Sequence, residues 1–388
     1  MSNQIMHKPL KNVTVLEFSQ YLSGPLAGLR LSDFGARVIK IENPDKGDAG
    51  RQLAIKNLWT NDSSLLFHTI NRNKESFTAN LKKKDELEMV QELIKMADVV
   101  THNFRPDVME KLGLSYENVI AVNPRIIYLE ISGYGNKGPW KYKPGQDLLV
   151  QAISGLTYTT GNKSDSPRPF GLSIADYLCG NQAVQAILAA LIRRQKTGEG
   201  ALLQLSLLES MIDFQFEFFT TYFQSNLHHE RSEINNGHAL LSAPYGVYET
   251  ADGYIAVAMM PLQKLAEVIE CHPLKFYTDA FEKRDEIKLI LVKHFLTHPC
   301  AYWLDKMQAE NLWVMPVLNW QQLQRADTYQ QLNIEQEIEI NDQHKIRTTR
   351  CPIKINGEMM LSNRPAPALG QHTARIMEEL KKRDEPFR

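Results

Sequence analysis

Two apolar textures alternate along the first half of the chain. Short runs rich in β-branched residues, VTVLEF (13–18), ARVIKIE (36–42), DVVTHNF (98–104) and RIIYLEIS (125–132), have the length and composition of buried strands. Between them lie segments whose apolar residues recur at helical spacing. LAGLRLSDF follows Gly24-Pro25 and is stopped by Gly35, Lys84–Met96 forms a longer run, and Val108–Leu112 and YENVIAVNP supply further turns. Pro25 suits a first helical turn, where its missing N–H is not needed. The first strand–helix–strand unit has roughly the 30 residues of a right-handed parallel crossover. Repetition of the unit predicts an α/β fold built on an open parallel sheet.

The pattern continues with a helix after Asp176, whose larger apolar residues are Val184, Ile187, Leu188, Leu191 and Ile192. KTGEG reads as a turn, ALLQLSLLES (201–210) as a strand, and MIDFQFEFFTTYF as an aromatic-rich helix. Near Ser225 the texture changes. QSNLHHERSEINNGH is a polar connection, and APYGVYETADGYIAVAM reads as a hairpin turning at Asp252-Gly253. Helices follow through YWLDKMQAENL, and the tail, RTTRCPIKI and TARIMEELKK, returns to strand- and helix-like text. The expected division is a large nucleotide-binding-like domain over 1–224, a small α/β domain over 225–340, and a C-terminal segment, 341–388, packing back on the first.

Composition narrows the function. The 388 residues are 43% hydrophobic and 23% charged, as in a globular protein with a substantial core. A net charge of −1 gives no support to nucleic-acid or membrane-surface binding. The N-terminus MSNQIMHKPLKNV has no apolar leader, and no run is long enough to span a membrane. The four cysteines, Cys179, Cys271, Cys300 and Cys351, form no C-x-x-C, so neither a metal site nor a disulfide framework is expected, and a cytoplasmic location is.

GYGNKG (133–138) matches a dinucleotide fingerprint in letters alone. That fingerprint needs a helix to open at once on the pyrophosphate, whereas Pro139 and Pro144 follow here. G-x-S-x-G and P-loop motifs are absent, and His68, His102 and His238 have no ligand spacing. SGP (23–25) and HNFRP (102–106) lie at strand ends, where they are either plain turns or the rim of a cleft for an adenine- and phosphate-bearing ligand. Lys40, Arg72, Lys74, Lys82, Arg105 and Lys111 share this half of the chain, most of them read as solvated surface charges. Asp176 is a lone acid in FGLSIADYLCGNQAVQAIL, and by itself it reads as a helix N-cap.

The order of these motifs resembles the class III CoA-transferases, the formyl-CoA and carnitine CoA-transferase family. The resemblance is carried by SGPLAGLRLSDFGARVIKIENPDKGDAGR, NRNKESFTANLK, ADVVTHNFRPDVMEKLGLSYE, NPRIIYLEISGYGNKGP, GLSIADYLCGNQAVQAILAALIRRQKTGEGALLQLSLLES, APYGVYETADGYIAVA and PAPALGQHT. It implies a Rossmann-like large domain, an interlocked homodimer, and exchange of CoA between an acyl-CoA and a free carboxylic acid. It makes Asp176 the nucleophile, with an aspartyl covalent intermediate, and Asp147 an acid beside it. It also implies a coenzyme A site of Leu22, Ser23, Asn43, Ala79, Asn80, Leu81, Lys82, Asn103, Phe104, Arg105, Lys111 and Lys143, with no metal. Asn43 stands where some members carry arginine, and Pro144 where some carry lysine, with Lys143 adjacent. The glycine run that covers the active site in some members has no counterpart in INNGHALLSAPYG. α-Methylacyl-CoA racemases share the family and place a histidine before the aspartate. Here the text is GQD, and Gln146 is no general base. Racemisation and non-catalytic acyl-CoA binding remain the alternatives, and Arg168 and His238 are candidates to meet an acceptor carboxylate.

Overall fold

The structure, a computed structural model, describes residues 8–60, 63–227 and 230–384. Residues 1–7, on which the expectation of no leader falls, and His228-His229 of the polar connection lie outside the described residues. Six parallel strands form the main sheet: β1 (Thr14–Glu17), β2 (Arg37–Glu42), β3 (Glu75–Thr78), β4 (Val99–His102), β5 (Ile127–Ser132) and β6 (Ala201–Ser206). Their order is β3-β2-β1-β4-β5-β6, the doubly wound arrangement expected of an α/β chain. The connecting helices are α1 (Ser23–Asp33), α2 (Lys84–Met96), α3 (Val108–Lys111), α4 (Tyr116–Val122), α5 (Asp147–Ile153) and α6 (Ile174–Thr197).

Sheet and helices share one core. Leu16, Ile39, Phe77 and Val100 from the strands pack with Val90, Leu93 and Ile94 of α2. Helix α2 has the ends the sequence predicted, because Lys84 follows a polar turn and its buried positions, Val90, Leu93 and Ile94, keep helical spacing. Strand β3 was not read from the sequence. ESFT offers only Phe77 as a large apolar residue, and the segment is a strand because β2 pairs with it from Ile39–Glu75 to Glu42–Thr78. The predicted strand over 201–210 ends at Ser206, where Ser206 Oγ accepts the Glu209 N–H and opens α7 (Leu207–Phe214). The aromatic helix is broken at Gln215, and α8 (Phe216–Ser225) follows.

The chain forms two compact units. One runs to Val150 and takes in Ser173–Met211 and the residues from Asn333 onward; the other is Gln151–Leu172 with Ile212–Leu332. The change of texture at 225 does not mark this division. The reason is backbone capture within the second unit. The Arg231 guanidinium donates to the carbonyls of Thr160 and Asp165, and Lys163 N–H donates to Ser232 O at 2.9 Å. The second unit holds the hairpin β7 (Gly246–Glu249) and β8 (Tyr254–Val257), joined by β9 (Val314–Pro316), with α9 (Arg284–Phe295) and α10 (Cys300–Ala309) over it. Tyr248, Phe295 and Trp303 are the large side chains of its core. In the first unit, the hairpin β10 (Glu335–Asn341) and β11 (His344–Thr349) precedes α11 (Thr373–Asp384). Thr373 Oγ1 accepts the Thr78 N–H at 2.9 Å, and Ile376 and Leu380 enter the core around the sheet.

Candidate active site

The parallel sheet directs four loops to one edge. Leu22 and Ser23 follow β1, Asn43 follows β2, Ala79–Lys82 follow β3, and Asn103–Arg105 follow β4, and these are adjacent strands. Between β1 and β4 the strand order reverses, which is where doubly wound sheets bind ligands. The loop after β1 is held tightly. Tyr21 takes a left-handed φ of 64°, and its N–H donates to Asp48 Oδ1 at 3.1 Å. Asn103 exchanges two bonds with the backbone of Gln20, at 2.8 and 2.7 Å, so its amide ties the two loops together.

Beneath this loop lies a buried ionic cluster that corrects one reading of the sequence. Lys40, Lys74 and Arg72 are at most 2% exposed and are not surface charges. Lys40 Nζ meets Glu17 Oε1 at 3.0 Å, Asp48 Oδ2 at 2.7 Å and the Ser19 carbonyl at 2.7 Å. Lys74 Nζ meets both Glu17 oxygens at 2.9 Å and donates to the Pro25 carbonyl at 2.8 Å. Burial opposes the charge on Lys40, but Asp48, Glu17 and Glu42 outweigh it and raise its pKa. Burial dominates at Lys74 and lowers its pKa to about 8 despite Glu17. The glycines of SGPLAG make room for this cluster. A Cβ on Gly24 would stand 2.2 Å from Ser19 Oγ, and one on Gly28 would stand 1.8 Å from Glu17 Oε2. Of the six cations read as mostly surface charges, only Lys82, Arg105 and Lys111 are exposed, and Lys143 is exposed as well.

Asp176 sits in the first turn of α6 and is not its N-cap. Ser173 holds the cap position, and the Asp176 N–H donates to Asp147 Oδ2 at 3.1 Å. Asp176 is half-buried, and the hydroxyl and backbone N–H of Ser23 lie close enough to act on its carboxylate. Burial pushes its pKa up from 3.8 to about 6, the neighbouring Asp147 adds to the rise, and the Ser23 bonds hold it back. The result is a carboxylate mostly ionised at neutral pH yet more basic than a solvated one. Cys179, three residues on, is no rival nucleophile, because burial pushes its thiol up to about 12.

Asp147 is 8% exposed and begins α5. Its approach is set by Gly133 and Gly145, whose backbones touch; a Cβ on Gly133 would lie 2.6 Å from the Gly145 Cα. The first glycine of the false dinucleotide motif therefore packs a loop just before Gln146-Asp147. No helix opens after Gly138, as the prolines foretold. Asp107 clamps the same loop, meeting Lys141 Nζ at 3.0 Å and Tyr142 Oη at 2.9 Å.

A cavity of about 430 Å³ opens beside these loops, lined by His102, Phe104, Arg105, Glu130, Asn136 and Lys141 among others. It contains Phe104 and Arg105 of the expected CoA residues. His102 Nε2 stands 3.8 Å from Glu130 Oε1. Asn43 Oδ1 accepts the N–H groups of Asp45 and Lys46 at 2.9 and 3.1 Å, and Asn80 Oδ1 accepts that of Lys82 at 3.1 Å. Both amide oxygens shape turns. Arg168 pairs with Asp165 at 2.8 Å, and His238 faces Glu217 at 3.5 Å; both pairs lie in the second unit. Among the described residues no group of three or more His, Cys, Asp or Glu side chains is placed to hold a metal, and no helix is long and apolar enough to cross a membrane. Sequence reasoning missed Glu17, Asp48 and Gly145; a lone acid in the apolar run VTVLEF was the available signal for Glu17.

The family model of CoA-transferase family III matches residues 10–373. The chain belongs to CoA-transferase family III. It is an enzyme of that class, and its relatives agree. The succinate–glutarate CoA-transferase of Agrobacterium fabrum is 31% identical over 96% of both chains. The acetyl-CoA:oxalate CoA-transferase of Acetobacter aceti is also 31% identical, over 96% of this chain and 95% of its own. The crystal structure of a CAIB/BAIF family protein from Brucella suis superposes with a TM-score of 0.83, at 27% identity, covering 97% of this chain and all of that one.

Proposed function

We propose that this enzyme moves CoA from an acyl-CoA to a free carboxylic acid through Asp176. The observation that carries this is the placement of Asp176, half-buried in the first turn of α6, with its N–H on Asp147 Oδ2 at 3.1 Å and Ser23 beside its carboxylate. In the first step a carboxylate oxygen of Asp176 attacks the thioester carbonyl. The C–S bond breaks, CoA leaves as thiolate, and an aspartyl-acyl anhydride remains. The thiolate then attacks the aspartyl carbonyl, the first acid departs as carboxylate, and Asp176 carries CoA as a thioester. The acceptor carboxylate reverses the sequence. Each exchange trades one activated acyl bond for another, so no ATP is consumed. When the thiolate or the acceptor carboxylate attacks the aspartyl carbonyl, charge develops on an Asp176 oxygen, and the donors of Ser23 are near enough to stabilise it.

The CoA itself is assigned to the loops at the sheet edge, with Leu22, Ser23, Asn43, Ala79–Lys82, Asn103, Phe104, Arg105, Lys111 and Lys143 around it. The exposed cations there, Lys82, Arg105, Lys111 and Lys143, suit its phosphates. Relatives named for succinate, glutarate and oxalate favour a small dicarboxylate as acceptor. A homodimer is supported by α8, in which no residue is buried and Phe216 and Phe223 are 62% and 70% exposed. Four free cysteines agree with a reducing, cytoplasmic setting. Gln146 in place of a basic residue weighs against racemisation.

The test is trapping. The enzyme is incubated with formyl-, oxalyl-, succinyl- and acetyl-CoA, quenched with borohydride or hydroxylamine, and the peptide holding Asp176 is weighed. Modification at Asp176 with one donor is expected. CoA binding without any adduct, together with α-hydrogen exchange in deuterated water, would transfer the assignment to a racemase. Binding with neither signal would leave an acyl-CoA-binding protein.

A further inference from the structure

We propose that Gly180 is a positioning residue that sets where the Asp176 carboxylate stands. The inference rests on reading Asp176 as the nucleophile. Gly180 lies inside the long helix α6, where glycine weakens helical structure. It is four residues after Asp176, on the same face of the helix. That face packs on α1. A Cβ at 180 would stand 2.7 Å from the Ser23 carbonyl oxygen, 3.1 Å from Leu26 Cδ2 and 3.3 Å from Leu26 Cβ. The closest of these atoms is backbone, and it belongs to Ser23, the residue beside the Asp176 carboxylate whose hydroxyl and N–H lower its pKa.

The geometry joins these facts. The two helices touch at Gly180, and one turn earlier the same approach delivers Asp176 to Ser23. Any side chain at 180 pushes the start of α6 off the start of α1. Ser23 is in turn anchored from below, since Lys74 holds the Pro25 carbonyl and Lys40 the Ser19 carbonyl, so α1 does not follow. The separation therefore falls on the Ser23–Asp176 contact. Loss of these donors removes what restrains the pKa of Asp176 and displaces the attacking oxygen.

Gly180→Ala is compared with Ala183→Gly, which weakens the same helix at a fully buried position without adding bulk. Both are assayed with succinyl-CoA and glutarate or oxalate, alongside CoA binding, thermal unfolding and intact mass of the CoA adduct. Gly180→Ala is expected to bind CoA, to lose about 10- to 100-fold in kcat, and to shift the acid limb of the kcat profile to higher pH. Ala183→Gly is expected to unfold at lower temperature with kcat and acid limb unchanged. Wild-type kcat and acid limb in Gly180→Ala would overturn the proposal, as would the same kinetic change in Ala183→Gly. If Gly180→Ala does not fold, Ser23→Ala decides: it removes one donor without moving a backbone, and an unshifted acid limb overturns the proposal. Asp176→Asn separates the two readings. Full activity there refutes the nucleophile assignment, whereas an inactive Asp176→Asn beside an unaffected Gly180→Ala refutes only the positioning role.

Discussion

Two groups of acids lie near the same loop of the first unit, and their surroundings give them opposite properties. Glu17 and Asp48 face Lys40 and Lys74 at hydrogen-bond distance, in a cluster closed to water. The opposing effect of burial on Asp48 is outweighed by Lys40 and by the N–H groups of Gly50 and Tyr21, and its pKa falls. Asp176 has burial and a second carboxylate, with only the Ser23 donors to offset them, and its pKa rises to about 6. A carboxylate paired with a buried cation is locked as structure. One left against another acid keeps a basic, available lone pair. The first group holds the loop, and the second is where chemistry is expected.

The comparison breaks most sharply at its two centres. Asp176→Ala should lower CoA transfer at least about a thousand-fold, with the thermal midpoint unchanged or raised, as read by steady-state rates and calorimetry. Lys40→Met should do the reverse. It leaves Glu17 and Asp48 buried without their shared cation, a change worth about 3–5 kcal/mol, measurable by urea unfolding of the whole chain. A loss under about 1 kcal/mol would mean that the cluster is not the anchor described here.

The pH dependence sharpens the contrast. The active form of Asp176 is ionised, so kcat should rise with pH through an apparent pKa near 6. Asp147→Asn removes the second carboxylate and should move this limb to lower pH. Stability follows the opposite sense at the two sites. Asp176 binds its proton more tightly folded than unfolded, so its favourable contribution is full below 3.8 and is lost as pH rises through about 6. Asp176→Asn should therefore be the more stable protein at pH 7, by on the order of 1–2 kcal/mol. Asp48 and Glu42 have lowered pKa values, so their contribution is present above the usual carboxylate range and disappears on acidification. The smallest effect belongs to an exposed pair. Arg168→Ala breaks the bond to Asp165 at a side chain 56% exposed and should cost at most about 1 kcal/mol by urea unfolding.

Most of the sheet was legible because its strands carry their own apolar runs. VTVLEF, ARVIKIE and RIIYLEIS needed no neighbour to be read, and the hairpin turning at Asp252-Gly253 declared itself by its alternation. Strand β3 was not legible, since its identity depends on pairing with β2. Asp176 stood out as a lone acid at a helix start, but its place in the first turn, its Ser23 donors and its raised pKa did not. Lys40 and Lys74 looked like any surface lysines, because the acids that bury them lie elsewhere: Glu17 sits 23 and 57 residues away along the chain.

What the sequence by itself determined was the alternation that makes a parallel sheet, the family, and a short set of residues that includes the acid proposed as nucleophile. Periodicity and motif order are properties of neighbours along the chain, and they survive without a fold. Only the tertiary structure decided which lysines are buried, which glycines are spaces for other side chains, and why burial and a neighbouring acid raise the pKa of one aspartate. Those depend on distance through space, on the water excluded there and on the charges that remain, and none of these is written in local order.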